Sequence, residues 1–292
     1  MNINLYGILI ALGVAAAVIY MGKETKRLSL PPDLAVDMAL WSVPVAVLSS
    51  RIYYVIFTWD HYKDDWLSIF KVWEGGLAIY GGVIGGALGI YLLSRYKKLP
   101  TLKLLDLVAP GLILGQAIGR WGNFFNKEAF GELITNPAHQ FFPLAVLVDG
   151  QWHQATFFYE SVCNLLGFFF LLFVRDRCYK KGQGFVLQWY LIFYGLVRVV
   201  IEGLRTDSLM LGSLRVSQVL SILLVAASGI ILMLRLKRTP LMIAGAVIWT
   251  ALFAVIAVGV VRGIVLTYAV MAVFALMVFV MFMRETAKGS AA

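Results

Sequence analysis

Charged side chains are scarce in this 292-residue sequence: Asp, Glu, Lys and Arg together make up 14% of it, against about 25% in an average soluble domain. Hydrophobic residues make up 61%, and the mean hydropathy is +0.83. So few polar groups could not cover the surface of a globule of this size. The composition therefore excludes an ordinary soluble domain and predicts an integral membrane protein.

Residues typical of several kinds of catalytic centre are also few. Cys163 and Cys178 are the only cysteines, which is too few for a disulfide framework, and we expect both to be unpaired thiols. The three histidines are scattered and lack the helical spacing of a metal site. No P-loop and no G-x-S-x-G elbow occurs. We therefore expect no metal, no nucleotide cofactor and no serine hydrolase chemistry.

Long apolar runs recur along the whole chain. A helix needs about 20 mainly apolar residues to span a bilayer, and lipid offers no partner to unpaired backbone groups, so each run is predicted to be helical. The predicted fold is all-α and polytopic, with about seven core spans and about two more at the C-terminus. The run at 104–119 is short and carries Asp106 and Pro110, so a tilted or partly re-entrant segment is an alternative there. The runs lie near residues 3–21, 33–57, 76–94, 104–119, 156–174, 184–204, 216–234, 240–260 and 264–283.

The net charge of +9 could indicate a nucleic acid partner, but the basic residues are placed differently. Most Lys and Arg lie near 23–27, 95–103, 175–181, 235–238 and 284–288, at every second span boundary. Because short basic loops face the cytoplasm, we expect the N-terminus outside, the C-terminus inside and no nucleic acid partner. The polar stretch 132–154 is then an external loop. The preference of Lys and Arg for cytoplasmic loops, here called loop bias, does not explain four arginines that lie in or beside apolar runs: Arg51, Arg120, Arg198 and Arg205.

A polar cluster follows the run that ends near residue 119. It contains Arg120, Asn123, Asn126, Glu128 and Gly131. Charges inside a bilayer cost about 2.5–3.5 kcal/mol each at a helix centre, so they are kept where they bind or react. Arg and Asn donate to phosphate or ester oxygens, and Glu128 could orient Arg120 or move a proton. The alternative is a helix end tied to its own loop.

A second cluster lies in the run at 184–204 and just beyond it. Tyr194, Arg198, Glu202 and Arg205 are spaced four, four and three, which puts them on one stripe of a helix. One interpretation is an anion site in which both arginines face a phosphate and Glu202 orients an arginine. The alternative is an intramembrane ion pair that fixes helix packing.

Two further segments allow both a structural and a functional interpretation. In the glycine-rich stretch 75–86, the pairs Gly81/Gly85 and Gly82/Gly86 favour close helix packing, and Tyr80 is either an interfacial aromatic or a substrate contact. At the start of the run 156–174, Tyr159 and Glu160 suit an aromatic belt with a capping carboxylate as well as they suit a site.

These motifs, taken in order, resemble the prolipoprotein diacylglyceryl transferase family of bacteria over roughly residues 1–238. We therefore expect a transferase body at 1–238 and additional helices with a short tail at 239–292, for which we have no functional account. The residues that carry the resemblance are Leu5-Tyr6-Gly7, Arg51-Ile52-Tyr53-Tyr54, Gly75–Gly86, Leu114–Phe124 with Glu128 and Gly131, Tyr159-Glu160-Ser161, Tyr194, Arg198, Glu202, Arg205-Thr206-Asp207 and Ser217-Gln218.

The resemblance implies an activity, its substrates and a set of site residues. The family moves a diacylglyceryl group from phosphatidylglycerol to the thiol of a lipobox cysteine in a prolipoprotein, and releases glycerol 1-phosphate. The enzyme would be multi-pass in the bacterial plasma membrane, with its active site toward the external face. By position, the expected catalytic residues are Tyr6, Tyr80, Arg120, Asn123, Glu128, Arg198 and Glu202. The expected substrate-binding residues are Arg120, Gly131, Tyr159, Tyr194, Arg198 and Arg205.

One departure from the family's pattern concerns the base. Tyr80 stands where many members carry histidine, and an ordinary tyrosine, with a pKa near 10, is a poorer base at neutral pH. Either Tyr80 is activated by a nearby arginine, or the thiol loses its proton elsewhere. Two other functions remain open from the sequence: a lipid carrier whose arginines bind an anion without bond chemistry, and a scaffold whose polar groups serve packing alone.

Overall fold

The structure is a computed structural model of the chain and describes residues 5–212, 214–236 and 265–288. Within these residues the fold is mainly helical, and the predicted all-α class is confirmed. The helices are α1 (Leu5–Arg27), α2 (Leu34–Phe57), α3 (Ile79–Tyr96), α4 (Thr101–Asn126), α5 (Thr156–Lys181), α6 (Phe185–Leu204), α7 (Val216–Arg235) and α8 (Val265–Lys288).

Six of the described helices are long and apolar enough to cross a membrane: α1, α2, α4, α5, α6 and α7. The protein is therefore a multi-pass membrane protein. Helix α4 is continuous through Pro110, so the run at 104–119 is the middle of a full span and the re-entrant alternative is wrong. The predicted span at 240–260 and the predicted boundary between 238 and 239 lie outside the described residues, and the total span count stays a prediction.

The stretch 132–154, predicted as a loop, contains a β-hairpin. Strands β1 (Ala145–Val148) and β2 (Gln151–Gln154) pair antiparallel. Asp149 and Gly150 both have positive φ, as a two-residue hairpin turn requires. A shorter hairpin, β3 (Met210–Leu211) and β4 (Leu214–Arg215), lies between α6 and α7.

The chain divides into two compact units, Met1–Ala16 with Ala109–Ala292, and Ala17–Val108. In the first unit α6 packs between α5 and α7, and α8 lies against α6 and α7. Aromatic rings fill the contact with α8, where Trp189 meets Phe282 edge-on at 5.5 Å between centroids. Lipid tails are as apolar as these side chains, so close packing is what joins the helices.

In the second unit, α2 and α3 meet along a seam of glycines. A Cβ at Gly85 or Gly89 would lie 2.5 Å from a backbone carbonyl oxygen of α2, and Gly81 is equally close-packed. Gly82 and Gly86 have nothing nearer than 3.9 Å. Of the two predicted glycine pairs, only Gly81/Gly85 therefore lies in the contact, and Gly89 extends it.

Arg51, one of the arginines that loop bias does not explain, holds the segment that leads into α3. It is buried, and its Nε donates to the Ile69 carbonyl at 2.8 Å. Its Nη2 donates to Ser68 at 2.8 Å and its Nη1 to Gly75 at 2.7 Å. The role of this arginine is thus to order the loop backbone.

Candidate active site

Arg120 and Arg198 lie on different helices but share one carboxylate, that of Glu160. Arg120 Nη2 is 2.7 Å from Glu160 Oε1, and Arg198 Nη1 is 3.3 Å from Oε2. The arginines lie within about two turns of the last residues of α4 and α6, and Glu160 lies in the second turn of α5. The side chain of Glu160 is 2% exposed, that of Arg198 13% and that of Arg120 20%. Three helix ends thus bring two cations to one buried anion.

Glu202 adds a second buried carboxylate to this group. Its Oε2 is 2.6 Å from Arg198 Nη2, one helical turn away on α6, and its side chain is 2% exposed. Its backbone carbonyl accepts a hydrogen bond from Arg215, at the start of α7. The predicted Arg198–Glu202 pair is therefore present, but it belongs to a network that extends over α4, α5 and α6.

Glu128 reaches Arg120 through Asn123. Arg120 Nη1 donates to Asn123 Oδ1 at 3.3 Å, and Asn123 Nδ2 donates to Glu128 Oε1 at 2.9 Å. Asn126 Nδ2 donates to the same oxygen at 3.2 Å. This chain ties the end of α4 to the loop that follows and also fixes the plane of the guanidinium, so the structural and functional interpretations of the cluster are compatible. Asn123 and Glu128 border a cleft whose other walls are Phe124, Lys127, Phe130, Val146, Val148 and Phe157.

Arg205 lies outside the helical stripe that was predicted for it. Helix α6 ends at Leu204, and Arg205 is extended, with φ −82° and ψ 146°. Its Nε and Nη2 donate to the two carboxylate oxygens of Asp207 at 2.9 and 2.8 Å. These hydrogen bonds hold the pKa of the Asp207 carboxyl below its ordinary value. The prediction of one continuous stripe was correct to Glu202 and wrong for Arg205, because the helix ends first.

Gly131 joins the hairpin to the end of α6. Its N–H donates to the Gln154 carbonyl at 2.9 Å, and it forms an isolated bridge with Arg205. A Cβ at this position would lie 2.7 Å from Gln154 Oε1 and 2.9 Å from the Leu204 carbonyl oxygen. Only glycine fits between Gln154 and the Leu204 carbonyl, so Gly131 allows the hairpin to pack against the end of α6.

Two tyrosines of the expected site lie in the same unit as the arginines. The ring of Tyr6 rests on the backbone of α4 at Gly122, where a Cβ would lie 3.0 Å from ring atom Cε2. Tyr194, one turn before Arg198, stacks on Tyr190 with centroids 5.8 Å apart. Both rings thus pack within one turn of an arginine-bearing segment.

The remaining expected tyrosines are Tyr159 and Tyr80. The Tyr159 hydroxyl donates to the Leu144 carbonyl just before β1, which ties the hairpin to α5. Neighbouring positions on a helix do not face the same way, so Tyr159 does not share the direction of Glu160. Tyr80 lies in the second unit at the start of α3, with its ring centroid 6.4 Å from that of Tyr53. The roles expected of Tyr159 and Tyr80 stay predictions.

Glu160 is the member of this group that sequence reasoning undervalued. A capping carboxylate was as plausible an interpretation as a site, yet the structure places it at the centre of the group. A signal was available: Glu160 begins an apolar segment in which the next basic residue is Arg175, roughly four turns away. A buried carboxylate with no local partner must find its cations on other helices.

The group can orient two guanidinium forks toward an anion. Each guanidinium carries five N–H donors, and the contacts with Glu160, Glu202 and Asn123 engage Nη1 and Nη2 of each arginine. The carboxylates hold the forks in fixed planes, which suits two-point binding of a phosphate. Within residues 5–212, 214–236 and 265–288, no group of three His, Cys, Asp or Glu side chains is placed to hold a metal ion.

Comparison with known proteins identifies relatives of the chain. The family model described as prolipoprotein diacylglyceryl transferase matches residues 1–235. A protein of Listeria welshimeri named phosphatidylglycerol–prolipoprotein diacylglyceryl transferase is 44% identical over 247 residues, which cover 82% of this chain and 88% of the relative. Proteins of the same name from Streptococcus suis and Pediococcus pentosaceus are 44% and 43% identical, cover 82% and 80% of this chain, and are themselves covered over 91% and 87% of their lengths.

Proposed function

The chain belongs to the prolipoprotein diacylglyceryl transferase family, and from that premise we propose that it transfers the diacylglyceryl group of phosphatidylglycerol to a prolipoprotein cysteine. This reaction is the first step of lipoprotein maturation. The observation that carries the proposal is the convergence of Arg120 and Arg198 on Glu160, because it aims two guanidinium groups at one place.

The phosphate of phosphatidylglycerol binds between Arg120 and Arg198. Both guanidiniums are largely removed from water, where charge-assisted hydrogen bonds are stronger than at an exposed site. Glu160 and Glu202 balance the two positive charges while the site is empty and keep the forks from repelling each other. Arg205, which pairs with Asp207 just beyond the end of α6, is the third cation that we propose for substrate binding.

In the reaction, the cysteine sulfur attacks the carbon of the diacylglyceryl group that is bonded to the phosphate oxygen. A C–S bond forms, the C–O bond to phosphate breaks, and glycerol 1-phosphate leaves with the bonding electrons. Negative charge grows on the leaving oxygen, and Arg120 and Arg198 stabilise it. The thiol must first lose its proton, because the thiolate is the nucleophile. We propose residue 80 as the base, because many family members carry histidine at this position; a phenol can accept the thiol proton only as its phenolate, so Tyr80 would have to be deprotonated first.

The partners follow from this chemistry. The donor is an anionic membrane lipid, and the acceptor is a prolipoprotein signal peptide whose lipobox cysteine lies at the membrane surface. The distribution of basic residues supports an N-terminus outside and an Arg120–Arg198 group at the external face of the bacterial plasma membrane. We propose residues 1–238 as the transferase body and assign no task to residues 239–292.

The test is a transfer assay with purified protein, phosphatidylglycerol and a lipobox peptide. The expected product is a peptide heavier by one diacylglyceryl group, with glycerol 1-phosphate released in equal amount. A peptide with serine in place of the cysteine should remain unmodified, because it has no thiol. Binding of phosphatidylglycerol without a thioether product would contradict the proposal and favour a lipid carrier.

A further inference from the structure

Asn164 is a buried polar residue to which the reaction described above assigns no task. It lies on the inner face of α5, one turn further into the span than Glu160, and its side chain is 0% exposed. Neither Nδ2 nor Oδ1 has a hydrogen-bond partner among the described residues. A buried amide left without partners costs about 1–3 kcal/mol, and buried polar groups in folded proteins nearly always have one. A ligand of the working protein would offset that cost.

Contacts on either side place Asn164 between α4 and α6. Toward Glu160, Ser161 Oγ donates to the Ala117 carbonyl of α4 at 2.7 Å. Further into the span, a Cβ at Gly167 would lie 2.5 Å from Ile113 of α4 and 2.6 Å from Phe193 of α6. Asn164 therefore lies at the level where the three helices converge, one turn inward from the arginines.

Other polar groups occupy the same level. Gln116 is one turn before Arg120 on α4, and its Nε2 donates to the Tyr190 hydroxyl of α6 at 3.1 Å. Gln116 Oε1 is buried and has no hydrogen-bond partner among the described residues. Tyr190 in turn stacks on Tyr194. A second polar layer thus lies directly inward from the charged one, at a depth where lipid-facing residues are apolar.

The chemistry of a phospholipid matches two such layers. Its ester groups follow the phosphate inward after the glycerol carbons, at a separation comparable with one helical turn, about 5.4 Å. An ester carbonyl only accepts hydrogen bonds, and the Asn164 amide nitrogen carries two N–H donors. We propose that Asn164 Nδ2 donates to an ester carbonyl of the donor lipid and so positions the glycerol carbon that is attacked. This inference rests on the proposed function, which places the phosphate at Arg120 and Arg198.

The experiment compares two donors in the transfer assay: diacyl phosphatidylglycerol and its dialkyl ether analogue, which lacks both ester carbonyls. A neutral hydrogen bond contributes about 1 kcal/mol, so the wild type should prefer the ester donor about fivefold in kcat/KM. Asn164→Leu should lower kcat/KM about fivefold with the ester donor, leave it unchanged with the ether donor, and so abolish the preference.

Gln188→Leu is the matched control. Gln188 is also buried on a span with an unpartnered Oε1, but it lies in the first turn of α6, at the opposite end from Arg198. This variant should keep the fivefold ester preference. Asn164→Leu should keep or raise the Tm, since it removes an unpaired buried amide. If Asn164→Leu does not fold, Asn164→Ala takes its place, and the ratio of kcat/KM with the ester donor to kcat/KM with the ether donor is measured for that variant.

Two results would overturn the inference. Equal losses with both donors would assign Asn164 to packing, and a raised KM for the lipobox peptide with an unchanged donor ratio would assign it to the acceptor. Both differ from a failure of the proposed function itself, in which the wild type would form no thioether with either donor.

Discussion

Arg120 and Glu160 form a 2.7 Å ion pair between α4 and α5, and the second oxygen of the same carboxylate contacts Arg198. One buried anion therefore determines where two cations stand. The charge of Glu160 is essential to this geometry, because a neutral side chain of the same shape could not hold two guanidiniums together.

Glu160→Gln should lower kcat/KM about 100-fold, since a misplacement of about 1 Å in a positioned group can cost that much. The measurement is transfer with purified variants, with folding monitored by Tm. Removing one partner of a buried ion pair costs about 3–5 kcal/mol, so a lower Tm is expected as well. Asp149→Asn breaks the exposed Lys127–Asp149 pair and should change neither quantity. Normal turnover in Glu160→Gln would show that the carboxylate does not position the arginines.

Arg198→Lys should lower kcat/KM about 10- to 100-fold, because an ammonium cannot contact Glu160, Glu202 and a phosphate in one plane. Steady-state kinetics with phosphatidylglycerol vesicles measure the effect. The control is Arg177→Lys, near the other end of α5, where the guanidinium contacts only the Phe173 carbonyl and ring among the described residues. Near-normal turnover in Arg198→Lys would refute the requirement for a fork.

Tyr80→His should remain active in the transfer assay. If residue 80 accepts the thiol proton, an imidazole at this position can accept it as well. Tyr80→Phe should lose most activity at every pH. An active Tyr80→Phe, or a folded but inactive Tyr80→His, would show that residue 80 is not the group that accepts the thiol proton.

Gly85→Ala and Gly86→Ala form a matched pair on α3. The added methyl at residue 85 would lie 2.5 Å from the Val45 carbonyl oxygen, so overpacking should destabilise the α2–α3 contact by about 1–3 kcal/mol. At residue 86 the nearest atom is 3.9 Å away, and alanine should be neutral or slightly stabilising. Thermal unfolding in detergent compares the two. Equal Tm values for Gly85→Ala and Gly86→Ala would contradict a close contact of α2 with α3 at Gly85.

Helix positions were predictable because a helix that crosses the bilayer must be mainly apolar over about 20 residues, and such runs are visible in the sequence. The run near 156–174 corresponds to α5, which continues through polar residues to Lys181, and the run near 184–204 matches α6 to within one residue. The sides of a span are harder to predict, since lipid-facing and protein-facing positions are both apolar. That is why the sequence offered two glycine pairs in α3 and the structure uses only Gly81/Gly85, with Gly89.

The candidate site was predictable where its contacts are local and unpredictable where they cross between helices. The Arg198–Glu202 pair follows from spacing alone. Glu160 has its partners 40 residues before it and 38 after it, distances that no periodicity reports. Arg205 depended on where α6 stops, and helix ends are the least certain feature of a sequence pattern.

The most direct test of the account is an experimental structure with phosphatidylglycerol bound. We predict a phosphate that lies between α4 and α6 and accepts hydrogen bonds of about 2.7–2.9 Å from both Arg120 and Arg198. A headgroup that contacts only one of these arginines, or neither, would contradict it.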